Sequence, residues 1–130
     1  MGLINGIIEF DKTNILDAQV ENLDTLLKAI HAEKWETILL PVGNCEKNVY
    51  SYKFKHKIID QKTIEHILQD IIDNHFDALH DITLQFTEKD RNNDYEAIYS
   101  LNKDNRYIDI QETRKVSSSR TIGQSSRGTK

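Results

Sequence analysis

The spacing of apolar residues changes period several times along the chain, and each change marks an element. Leu3 to Phe10 is rich in β-formers (Ile4, Ile7, Ile8, Phe10), is interrupted by Gly6, and predicts a first strand. Asp11-Lys12-Thr13-Asn14 is a turn. From Ile15 to about Lys34 the apolar positions Leu16, Val20, Leu23, Leu26, Leu27 and Ile30 recur at helical spacing, with Asn14 placed to cap the helix. Glu36 to Val42 reads as a short apolar strand containing Pro41, and Gly43 to Asn48 as a turn.

Val49 to Ile59 alternates strictly. Tyr50, Tyr52, Phe54, His56 and Ile58 occupy one face, and Ser51, Lys53, Lys55 and Lys57 the other, so a strand with one buried and one wet face is expected. Asp60 caps a second helix to about His75, with a stripe of Ile64, Ile67, Leu68, Ile71, Ile72 and Phe76. Three further strands are predicted at Asp81 to Thr87, Tyr95 to Leu101 and Arg106 to Gln111. Polar hairpin turns at Glu88 to Asp94 and Asn102 to Asn105 join them.

The order β-α-β-β-α-β-β-β places the chain in the α+β class, with two helices on one face of a mostly antiparallel sheet. Its first six elements fit the ferredoxin-like plan, and the last two strands form an added C-terminal hairpin. Trp35 is expected to close the first helix as a core anchor.

Composition adds a boundary. Hydrophobic residues are 38% and charged residues 29%, which suits one globular domain. The distribution is uneven, however. Residues 113–130 carry five bases and no acid among many serines, and only Val116 and Ile122 are aliphatic, so a disordered basic Ser/Arg-rich tail of +5 is expected. Residues 1–112 form the folded domain, where the other twelve bases meet all 21 acids, leaving −9. With no apolar run of membrane-spanning length and no signal-peptide pattern, the expected location is cytoplasmic.

Candidate chemistry is sparse. The lone Cys45 lies in a turn and cannot form an internal disulfide. Asp90-Arg91-Asn92-Asn93-Asp94 begins like a calcium loop, but Tyr95 and Leu101 stand where that loop needs glycine and an acid. His66, Asp70 and Asp73 share the polar face of the second helix. A solvated face explains them, and His66 and Asp70 are the runner-up metal candidates. Lys53, Lys55 and Lys57 form a basic ladder out of phase with the aromatics, unlike a base-stacking platform. Phosphate loops, nucleophile elbows and paired cysteines are absent, and no cofactor is expected.

The expected function is that of a non-enzymatic acidic protein-binding or inhibitor module. It would be of immunity-protein or anti-defence type and act on a basic partner such as a nuclease. The partner-binding residues would be Asp70, Asp73, Asp77, Glu88, Asp90 and Asp94. A small ligand-binding or regulatory ferredoxin-like domain, dimerising through a sheet edge, is the alternative, and any nucleic-acid contact would be made only through the tail.

Overall fold

A computed structural model describes residues 1–36, 48–89, 94–114 and 117–123. The elements are β1 (Gly2–Asp11), α1 (Asp17–Lys28), β2 (Glu33–Glu36), β3 (Val49–Ile59), α2 (Gln61–His75), β4 (Leu79–Lys89), β5 (Asp94–Asn102), β6 (Tyr107–Thr113) and β7 (Ser117–Gly123). Single 3-10 turns precede α1 at Lys12–Asn14 and follow α2 at Phe76–Ala78. Among the described residues the seven strands form one sheet, β2-β3-β1-β4-β5-β6-β7, with every neighbouring pair antiparallel.

Both helices bury their stripes on the same sheet face. Leu23 and Leu27 of α1 and Ile64, Leu68, Ile71 and Ile72 of α2 join Ile4, Ile8, Phe10, Tyr52, Ile82, Leu84, Phe86, Tyr99, Ile108 and Ile110 in a single core. Burial of each of these side chains contributes roughly 1.5–3 kcal/mol. Opposite them, the second face of the sheet has no helix over it among the described residues.

The first helix is shorter than its periodicity suggests. It ends at Lys28, because His31 adopts a left-handed φ of 69°. The amide of Ala32 then donates to the Leu27 carbonyl and that of His31 to the Lys28 carbonyl, the paired bonds of a Schellman stop made without glycine. Asn14 does not cap α1. Asp11 instead accepts from Thr13 and Asn14 in the preceding turn, and the Gln19 side chain accepts from the Leu16 amide at 2.9 Å. Trp35 is therefore not a helical core anchor. It lies on β2, 57% exposed, with the Lys53 ammonium 5.0 Å from its ring centre. The predicted strand Glu36 to Val42 and the turn holding Cys45 fall almost wholly outside the described residues.

A bulge in β3 breaks the expected alternation. Ile4 faces Lys57 and Gly6 faces Phe54, so β3 holds one extra residue there. His56 takes φ 51° and donates its amide to Asn5 Oδ1 at 2.7 Å. Beyond the bulge the phase is reversed: Ile59 is buried, Ile58 is 69% exposed, and Lys57 leaves the face that holds Lys53. The three-lysine ladder does not form. Nearby, Gly6 has φ 129°, and a Cβ there would lie 2.0 Å from the Thr83 carbonyl oxygen, so only glycine fits.

The stretch expected to be a disordered tail contributes a strand. Thr113 closes β6, and Ser117–Gly123 pair with it from Thr113↔Ser117 to Tyr107↔Gly123. One apolar side chain, Ile122, enters the core. The rest of the attachment is polar, which is why hydrophobicity did not reveal it.

Candidate functional site

Helix polarity and sheet order together bring separate acidic segments to one end of the helical layer. The two helices run antiparallel, so the start of α1 meets the end of α2. The Gln19 amide nitrogen lies 3.5 Å from the Asn74 carbonyl and 3.3 Å from His75 Nδ1, and Asn22 Nδ2 lies 3.1 Å from His75 Nε2. His75 is buried in this seam, and burial pushes its pKa below the ordinary histidine value, against the opposing pull of Asp70. Both ring nitrogens thus lie against side-chain amide groups, and desolvation in the seam disfavours the charged imidazolium.

The outer surface around this seam is acidic. Asp17 and Glu21 of α1 are exposed, as are Asp73 and Asp77, and Asp70 is half-buried. The two helix lysines, Lys28 and Lys62, sit at the opposite end of the layer, at the end of α1 and the start of α2. Lys103 and Arg106, in the turn between β5 and β6, lie at the acidic end. Arg106 stacks on Phe76 with its guanidinium carbon 4.1 Å from the ring centre, and one nitrogen is 3.6 Å from Asp77. A small polar cleft of about 120 Å³ opens between Gln19, Asn74, His75, Asp77 and Arg106.

The acidic residues singled out from the sequence do not make one surface. Asp70, Asp73 and Asp77 converge, but Glu88 and Asp94 stand at the far end of β4, whose 11 residues span about 35 Å. There Glu88 accepts from the Met1 ammonium at 2.7 Å, and Asp94 lies across from Lys89. Asp90 lies outside the described residues. Asp17 and Glu21 lie at the same end of the layer, in the first turns of α1, but the α1 side chains that face α2 are Gln19 and Asn22; Asp24, on the same side of α1 as Asp17 and Glu21, bonds to Lys34 and Tyr52 of the sheet.

His66 and Asp70 lie one turn apart on α2. His66 is exposed, Asp70 accepts from Asn74, and Asp73 accepts from Gln69 at 3.0 Å. Among the described residues no group of three or more His, Cys, Asp or Glu side chains is gathered for a cation.

A second constellation fastens β7. Arg120 makes a bidentate pair with Glu65 of α2, with one of its two bonds at 2.9 Å, and its Nε reaches Glu112 of β6 at 2.9 Å. The Tyr95 hydroxyl donates to Glu112 and that of Tyr99 to Glu65 at 2.7 Å, while Gln61 donates to both hydroxyls. Burial, with the two carboxylates, raises both tyrosines above their ordinary value. Burial opposes the charge on Glu112, yet Tyr95 and Arg120 hold its pKa below the usual carboxylate range. Gln69 adds a bond of 2.8 Å to the Gly123 carbonyl. Every polar group of this set has a partner, so it acts as a clasp. It also changes the charge map. Arg120 belongs to the folded body, Arg114 stacks on Tyr95 at 4.9 Å, and residues 1–123 carry fifteen bases against 21 acids.

No helix among the described residues is long and apolar enough to cross a membrane. Compared with protein-family models, curated proteins and solved structures, the chain matches none.

Proposed function

We propose that this chain is a non-enzymatic protein-binding module of the immunity-protein or anti-defence type. It would act in the cytoplasm by presenting its acidic helical end to a basic protein surface, such as the cleft of a nuclease. The observation that carries this reading is the grouping of Asp70, Asp73 and Asp77 at the end of α2, the end of the helical layer where α1 begins with Asp17, on helices anchored in one core. Carboxylates on rigid elements lose little entropy on docking, and their summed field accelerates encounter with a cationic partner. The same field repels nucleic acid phosphates. The fold reading that goes with it is a ferredoxin-like core, supported by the order β2-β3-β1-β4 with both helices on one face, extended by β5 to β7.

The test is affinity capture from lysate of the source cells with the wild-type chain and with Asp70→Lys/Asp73→Lys/Asp77→Lys. A basic protein should be retained at about 50 mM salt, weaken at about 500 mM, and be lost with the triple variant. Retention by the triple variant at wild-type strength would overturn the proposal. A second reading, a small regulatory domain working as a dimer, is favoured by the apolar side chains exposed on the sheet face turned away from the helices.

A further inference from the structure

Strand register defines what the face of the sheet turned away from the helices presents. One row across it reads Glu33, Lys53, Ile7, Thr83, Ser100, Asp109, Thr121, from β2 to β7. The next holds Asn5, Gln85, Ile98, Gln111 and Ser119. A third holds Ile58, Leu3, Thr87, Glu96 and Thr113. Among the described residues six large hydrophobic side chains are exposed, and four of them, Leu3, Trp35, Ile58 and Ile98, project from this one face. Met1 and Gly2 join Leu3, Ile58, Thr87 and Lys89 around an apolar depression of about 500 Å³ at its corner. A solvated sheet face is normally polar, and a concentration of apolar side chains on one marks a surface that something covers.

We infer that the occupant is a second copy of this chain, packed face to face about a two-fold axis that runs along β4, the central strand. Such an axis carries each strand to the opposite side of β4 and leaves its row unchanged. It therefore sets β3 of one copy over β6 of the other and β1 over β5. Lys53 and Asp109 occupy mirror positions in one row, two strands to either side of Thr83. Each lysine thus meets the aspartate of the other copy, and the symmetry makes that pair twice. In the next row Ile98 falls over Asn5 of the facing β1, flanked by its Leu3 and Ile7.

The row that holds Lys53 and Asp109 is self-complementary in charge, as an isologous interface requires. Lys53 also has Glu33 beside it on β2 and the Trp35 ring beneath it, which hold the ammonium on this face. Seven strands about 4.8 Å apart and mostly 20–35 Å long give roughly 700 Å² per copy, close to the ~800 Å² per partner of a stable interface. Both helical layers point outward in this arrangement, so it leaves the acidic ends untouched. It stands independently of the function proposed for them.

The experiment is solution mass by light scattering and sedimentation over a dilution series reaching on the order of 100 µM. The wild-type chain should run at twice its sequence mass and dissociate on dilution. Lys53→Asp and Asp109→Lys should each raise the dissociation constant about tenfold or more, since each replaces two attractions by two repulsions, and the double swap should restore it. Ile98→Asp should give a folded monomer with unchanged circular dichroism. A wild-type monomer at the highest concentration, a double swap no tighter than the single variants, or an Ile98→Asp dimer would overturn the proposal.

Discussion

Replacing Arg120 by alanine removes the guanidinium that joins β7 to α2 and β6. The side chains of Glu65 and Glu112 are 22% and 19% exposed, and that of Arg120 is 38% exposed, so this is neither a surface pair nor a deeply buried one. Exposed pairs are worth about 0–1 kcal/mol, whereas stripping one partner from a buried pair costs about 3–5 kcal/mol. The variant should fall between these, at about 2 kcal/mol, because it leaves two half-buried carboxylates facing each other with only tyrosine and glutamine donors. For a domain of this size that lowers Tm by roughly 6–8 °C. Urea unfolding should show a lower midpoint, and hydrogen exchange should show the largest loss of protection in Ser117–Gly123, where Ile122 and the Gln69 bond alone would supplement the strand ladder. Arg120→Lys should recover part of the loss, since an ammonium cannot reproduce the bidentate fork. If Arg120→Ala left both the midpoint and β7 protection unchanged, β7 would not be held by this clasp and the charge map drawn from it would fail.

Acid should weaken the fold in two stages. His75 has a depressed pKa, so as pH falls below the ordinary histidine value of 6.5 the unfolded chain takes up a proton that the folded chain resists, and stability drops; a His75→Gln variant should lack this slope in urea midpoints measured across pH 7.5 to about 5. Asp11, Asp24 and Glu112 are also depressed, so their contribution is present above the ordinary carboxylate range and is lost as pH falls through their folded values. Gly6→Ala should cost about 3 kcal/mol or more, or prevent folding, because the added Cβ meets the Thr83 carbonyl at a backbone angle side chains avoid; calorimetry of the purified variant measures it. Ile59→Ala should cost about 3 kcal/mol and Ile58→Ala under about 1 kcal/mol in unfolding of the dilute chain, and the reverse ranking would refute the bulge in β3.

Hydrophobic period alone determined the class of β1, of both helices and of β3 to β6. The stripe Ile64, Leu68, Ile71, Ile72 could only be an amphipathic helix, and alternation in β4 to β6 could only be half-buried strands, because covalent geometry sets the 3.6 and 2 residue repeats. Where a local rule was broken, the sequence misled. His31 ends α1 in a conformation usually taken by glycine, and the His56 bulge inverts the faces of Ile58 and Ile59 with no composition cue. The strand Ser117–Gly123 was invisible for a further reason: it is held by a backbone ladder and by Arg120, whose partners Glu65 and Glu112 lie 55 and 8 residues away. The two candidate surfaces have the same origin. That Asp70, Asp73 and Asp77 stand at the end of the layer where α1 begins, and that Lys53 and Asp109 share a row, follows from helix pairing and strand register. Those are decided when distant segments bury their apolar faces against one another, a choice that no local repeat encodes.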